Sequence, residues 1–186
     1  MRRMTTAPLP SADEVAAFWR AAGPSRWFAK DEVFDAEFKS RFEAAHHAAA
    51  AGTLDAWAGE AEGALALLVL LDQFPRNAWR GSARMFATDA RARAVARAAI
   101  DAGLDRQVDD GLRAFFYLPL THSESLADQE RSVALNAALD ADTQRYAVLH
   151  RDIVARFGRF PHRNPMLGRE TTPEEQAFLD QGGFAG

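Results

Sequence analysis

Three short polar stretches carry the side chains able to do acid–base or ion-pairing chemistry. They are Asp72, Gln73, Arg76 and Asn77; then His122, Ser123 and Glu124; then Arg159, His162, Arg163, Asn164 and Arg169. A guanidinium binds carboxylate or phosphate through two parallel hydrogen bonds, and arginine is preferred wherever that fork geometry matters. Arg76, Arg159, Arg163 and Arg169, with Gln73, Asn77 and Asn164 as neutral partners, are the expected binding residues for a small anionic ligand. His122 or His162 then acts as general acid or base, positioned by Asp72 or Glu124. A structural alternative stands beside this one. The same arginines can satisfy orphan carbonyls at helix C-termini and pair with Asp72, Glu124 and Asp128, pinning a loop without any ligand. Asp72 is most open to that reading, since a buried carboxylate needs a partner whatever the function.

The third stretch lies in the most unusual segment of the chain. From Phe157 to Arg169 there are three arginines and a histidine but no acidic residue, in a protein of net charge −4. Two prolines and two glycines forbid a regular helix or central strand there. Residues 157–171 are therefore expected to form an ordered basic loop facing something negative, because a solvated tether would be built from small polar residues. His122-Ser-Glu124 has the His-x-Glu spacing of zinc deaminases, but the paired cysteines that complete that site are absent. His150, on an apolar helical stripe, reads as a hydrogen-bonded core histidine. No metal and no cofactor is expected. Ser123 beside His122 lacks an elbow motif, so nucleophilic catalysis is not expected either.

Composition narrows the setting. The chain has 186 residues, 48% of them hydrophobic, enough for one domain with a sizeable core. Without cysteine there is no disulfide framework and no thiolate metal site, which suits a reducing compartment, and the cytoplasm is the expected location. The longest apolar run, residues 63–71, is far short of the roughly 20 residues needed to cross a bilayer, so no membrane partner is expected. The acidic balance argues against nucleic acid, which needs a basic face.

The polar stretches must be positioned by helices. Ser11-Ala-Asp-Glu14 is a capping box opening a helix that stops at Gly23-Pro24. Asp31 caps a second helix whose Phe34, Phe38 and Phe42 form a core stripe, with His46 and His47 near its end at Gly52. A third helix begins at Asp55, is apolar on every side over residues 65–71 and ends in Asp72-Gln-Phe-Pro-Arg-Asn77. Thr88 caps a helix to about Ala102, with Arg91, Arg93 and Arg97 on a solvated face. A helix over 108–117 breaks before Pro119. Ser125 with Asp128 signals a helix to about Leu139, and residues 142–157 form the next. Thr172-Pro-Glu-Glu175 is a capping box with proline at the first helical position, opening a C-terminal helix over 172–182.

No segment alternates with period two, so the fold class is all-α. Short turns between helices suggest antiparallel pairs in a tetratricopeptide-like or α-α superhelix-type stack. It forms a single domain over 1–186, with residues 1–10 as a flexible arm. All three polar stretches follow helix C-termini, and alternate helix ends of such a stack share one side. That is the geometric reason to expect one site. Gln73-Phe-Pro-Arg-Asn77 and Arg159-Phe-Pro-His-Arg-Asn164 also echo one another, as equivalent positions of a duplicated scaffold would.

Trp27-Phe-Ala-Lys-Asp31, Leu71-Asp-Gln-Phe-Pro-Arg-Asn77, Leu118-Pro-Leu-Thr-His-Ser-Glu124 and Phe157-Gly-Arg-Phe-Pro-His-Arg-Asn164, in that order, resemble domain-of-unknown-function family 924. Leu167-Gly-Arg169 and Thr171-Thr-Pro-Glu-Glu175 agree with it. The resemblance implies an all-helical fold grouped with tetratricopeptide-like structures, and no activity. Two function classes follow from the residues themselves. One is an enzyme or sensor for a small anionic metabolite; the other is a helical-repeat module holding an acidic peptide on the same surface.

Overall fold

A computed structural model describes residues 8–186, so most of the arm expected over 1–10 lies outside the described residues. The class is all-α: among the described residues there is no strand, and the helices build one compact domain.

Helix α1 (Ala12–Ala22) starts from the capping box, with Glu14 N–H donating to Ser11 Oγ and Ser11 N–H donating to Glu14. Gly23, at φ +69°, turns the chain into the short α2 (Pro24–Trp27). Asp31 then caps α3 (Glu32–Ala50) by accepting from Val33 and Phe34. Phe34, Phe38 and Phe42 are buried, and Phe18 of α1 stacks on the first two at ring distances of 5.3 Å. Four-residue spacing has placed one aromatic face of α3 against α1.

The apolar run becomes the centre of the molecule. Helix α4 (Ala61–Leu68) is buried from Gly63 onward and is covered by α1, α6 (Asp89–Asp101) and α7 (Ala114–Thr121). It does not begin at Asp55 as expected. Residues Asp55–Gly59 form a separate 3₁₀ turn that folds over the start of α4, where a Cβ on Gly63 would collide with the Trp57 carbonyl. Nor does the helical run stop at Asp72. It passes through a π-helical segment, Val69–Gln73, and continues as α5 (Phe74–Ala78).

Pro75 ought to end this helix, because it has no N–H to give the Leu71 carbonyl. Side chains take over the lost bonds. Phe74 N–H reaches back five residues to Val69, which frees the Leu70 carbonyl; His46 Nδ1 donates to it at 2.8 Å. Thr88 Oγ1 donates to the Leu71 carbonyl at 2.5 Å, and Arg76 Nη1 to that of Asp72 at 2.9 Å. His46 is thus buried against Phe74 and holds this segment rather than serving its own helix end. Thr88→Val keeps the shape but strands a buried carbonyl. The expected cost is about 1–3 kcal/mol, read as a lower urea midpoint at unchanged slope.

Two further departures share this origin. The helix expected over 108–117 gives way to a 3₁₀ turn at Asp110–Leu112, and α7, which begins only at Ala114, runs through Pro119. In so short a helix the proline removes a single internal bond, and burial of Phe115, Phe116, Leu118 and Leu120 keeps the helix formed. Ser125 stands at the N-cap of α8 (Leu126–Asn136), but neither it nor Asp128 caps; Asp128 turns to Arg97 and Ser123 instead. Helix α9 (Ala141–Phe157) packs on α8, which packs on α7, and Gly158 at φ +70° ends α9. After the basic loop, α10 (Pro173–Asp180) opens from the expected capping box at Thr172.

Candidate functional site

The carboxylate of Asp72, inside the π-helical segment, is almost wholly buried (1% exposed). Three side chains meet it: Gln73 Nε2 at 2.8 Å, His122 Nδ1 at 2.9 Å and Arg76 Nη1 at 3.3 Å. Arg76 also forks onto Asp89, at 2.8 and 3.1 Å. Burial opposes ionisation of Asp72, but electrostatic attraction to His122 and Arg76, with the bonds from His122 and Gln73, overcomes it and holds the group below the usual carboxylate range. His122 moves down too: burial and the charge of Arg76 outweigh the pull of Asp72. The pair is therefore a carboxylate and a neutral imidazole. An ionised carboxylate only accepts, so Nδ1 of His122 carries the hydrogen and Nε2 keeps its lone pair.

His122 sits at the C-terminus of α7, where orphan carbonyls are expected. Gln129, fully buried on α8, donates to the carbonyls of Thr121 and Ser123 at 2.6 Å each. Arg163 Nη2 donates to the carbonyl of His122 at 2.9 Å. The imidazole is thus held through its own backbone as well as by Asp72. It also lines a cleft of about 450 Å³ between α6, the α7–α8 turn and the basic loop. Nε2 makes no hydrogen bond to any described residue.

Arg163 is the buried cation of the group. Its guanidinium lies between the rings of Phe86 and Phe160, 4.6 Å from each centroid, with Nη1 3.9 Å from Asp89. Its Nε has no partner among the described residues. Burial, with the like charge of Arg76 nearby, pulls its pKa down to about 10, the mark of an under-compensated cation. The two echoing motifs therefore do meet, since Arg76 and Arg163 share Asp89.

The other expected site residues lie elsewhere. Arg169 forks onto Glu124 at 2.8 and 2.9 Å, and Glu124 also accepts from Phe160 N–H. Glu124 borders the cleft but makes no hydrogen bond to His122 or His162. Arg159 forks onto Glu175 at 2.7 and 2.9 Å, and Asn164 joins the same carboxylate at 3.1 Å. These contacts pin the basic loop to α10 and the α7–α8 turn. Asn77 turns to α3, donating to Asp35 at 2.7 Å beside Arg80. His162 packs on Phe160 and Phe184, with its pKa lowered to about 4 by burial and the Arg163 charge.

Sequence reasoning passed over several members of the site. Asp89 was not singled out at all, and Arg97 was assigned to a solvated face, yet Arg76 forks onto Asp89 and Arg97 grips Asp128 with a fork, closest at 2.6 Å. Arg93, assigned to the same solvated face, borders the cleft. Tyr146 meets the His150 ring at 4.1 Å, tilted by 47°, and feels the charges of Arg76, Asp72 and Arg163. One signal was available: Arg93 and Arg97 are four residues apart and so share a face of α6. Among the described residues, no three histidine, aspartate or glutamate side chains gather as a metal-binding set, and no helix is long and apolar enough to cross a membrane.

Comparison with known proteins places this architecture. A solved structure of a protein of unknown function from Agrobacterium tumefaciens superposes with a TM-score of 0.90 at 53% identity, covering 92% of this chain and 97% of that one. No curated protein matches the chain. The family model described as a bacterial protein of unknown function, DUF924, matches residues 15–183, which takes in the Asp72–His122 pair, the cleft and the basic loop. The chain therefore belongs to that family, DUF924.

Proposed function

We propose that the cleft binds a small molecule bearing a phosphate or carboxylate, and that neutral His122, held by Asp72, takes a proton from it or from a bound water. The observation that carries this reading is the pairing itself. A buried carboxylate orients an imidazole whose second nitrogen has no partner among the described residues, beside a buried, under-compensated arginine. A π-helical segment at Asp72 supports it, since such segments recur at functional sites. Of the four arginines expected to bind, Arg159 and Arg169 are each committed to one carboxylate and Arg76 to two, which leaves Arg163 with cationic character to spend on a ligand. The rival reading, a tetratricopeptide-like stack gripping an acidic peptide, calls for basic and aromatic side chains spread along several helix faces. The concentration of uncommitted charge at one cleft favours the small anion.

Thermal unfolding in the presence of inorganic phosphate, and of a panel of phosphorylated and carboxylated metabolites, tests the binding. Ligand at about 100 times its dissociation constant adds about 2.7 kcal/mol, or roughly 5–10 °C for a chain of this size. His122→Gln is expected to remain folded and to bind, while losing the proton-transfer group. Arg163→Met is expected to bind none of them. No response from any compound in the parent protein overturns the reading. So does a response that Arg163→Met retains in full. For the histidine, ¹⁵N spectra should show a neutral ring protonated at Nδ1 at pH 7; a ring protonated at Nε2 instead contradicts the proposed base.

A further inference from the structure

The walls of the cleft contain more charge than the anion reading uses. Each acidic group there is already neutralised: Glu124 by the Arg169 fork, Asp128 by the Arg97 fork and by Ser123 Oγ at 2.7 Å. Arg93 differs from Arg97, one turn further along the same face of α6. It borders the cleft, half-buried, and makes neither a hydrogen bond nor an ion pair with any described residue. Ala90, which also lines the cleft, presents only a methyl group, and the hydroxyl of Ser125, another lining residue, makes no hydrogen bond to any described residue. A free guanidinium on a cleft wall, with every nearby carboxylate engaged, has no structural task. It can fork onto an anionic group without first breaking an ion pair.

Building on the proposed anion site, we propose that its ligand is doubly anionic, with one phosphate or carboxylate beside Arg163 and His122 and a second held at the rim by Arg93 and Ser125. Arg93 is then a specificity residue: it selects diphosphates or dicarboxylates over molecules with a single acidic group.

Isothermal titration with inorganic phosphate and pyrophosphate tests this, with acetate and glutarate as the carboxylate arm. The parent protein is expected to bind the doubly anionic member of at least one pair tenfold or more tightly than the singly anionic member. Arg93→Ala is expected to erase that advantage while leaving phosphate or acetate within twofold of the parent. Arg145→Ala, which removes an exposed arginine of α9, serves as the charge control and should keep the advantage. Which pair shows the preference identifies the ligand as phosphoryl or carboxyl. Single anions binding as well as double ones, or an advantage that survives Arg93→Ala or is lost in Arg145→Ala, overturns the second anchor and leaves the inner site standing. If none of the four probes binds, both readings fall.

Discussion

Arg76→Ala is expected to cost about 3–5 kcal/mol, because it breaks a buried ion network by removing one partner. The guanidinium serves two acids and a carbonyl at once: Asp89 by a fork, the Asp72 side chain at 3.3 Å and the Asp72 backbone at 2.9 Å. Without it two buried carboxylates lose their cation and the π-helical segment loses one of the three side-chain bonds that compensate for its altered register. Arg76→Lys keeps the charge but not the fork and should fall between parent and alanine. Asp72→Asn preserves a hydrogen-bond acceptor for His122 and should cost less, about 1–3 kcal/mol. Acid supplies an internal check. In the alanine variant Asp72 loses the charge that helps keep it ionised and binds a proton more readily, so the deficit relative to the parent should narrow as pH falls through the carboxylate range. Urea unfolding of the three variants at pH 7 and pH 4 measures all of this. A deficit below about 1 kcal/mol for Arg76→Ala, on the scale of an exposed pair, would show the network to be incidental.

The scaffold was largely legible in the chain because its signals are local. Capping boxes at Ser11 and Thr172, the stripe of Phe34, Phe38 and Phe42, and the all-apolar stretch before Asp72 each act within a few residues, and each forms the expected element. What escaped detection was decided at a distance. Pro75 and Pro119 look like stops because the groups that keep their helices going are His46 and Thr88 on other elements, or burial on every side. The convergence of Asp72, His122 and Arg163 could be anticipated from helix ends, although Asp72 stands inside a continuous helical run rather than at its end. Which arginine faces the cleft could not be read from residue type. Arg159, Arg163 and Arg169 are equivalent in sequence, and only the positions of Glu175, Glu124 and Asp89 tell them apart. Arg93 and Arg97 were lost for the same reason, since a helical face looks solvated until the neighbour that covers it is known.

Histidines set the second large effect, a loss of stability between pH 7 and pH 5. His150 is 2% exposed, its Nδ1 donating to the Tyr146 carbonyl and its ring enclosed by Tyr146, Phe160 and Phe184. Burial, with the Arg163 charge nearby, takes its pKa down to about 3. An unfolded histidine titrates near 6.5. Between those values the unfolded chain binds a proton that the folded one refuses, so stability falls as pH drops, by about 1.4 kcal/mol per unit. By pH 5 that is about 2 kcal/mol from His150 alone. His162, lowered to about 4, and His46 and His122, also lowered, act in the same direction. The depressed carboxylates Asp72, Glu124 and Glu175 lose their contribution only near and below their unfolded values, about pH 4, so this window isolates the imidazoles. Urea midpoints at pH 7.5, 6 and 5 should fall progressively. His150→Phe should fall less, by close to the His150 share, whatever its stability at pH 7.5. A parent protein equally stable at pH 7.5 and pH 5 would mean that these rings accept protons in place. The neutral His122 on which the proposed chemistry depends would then lose its basis as well.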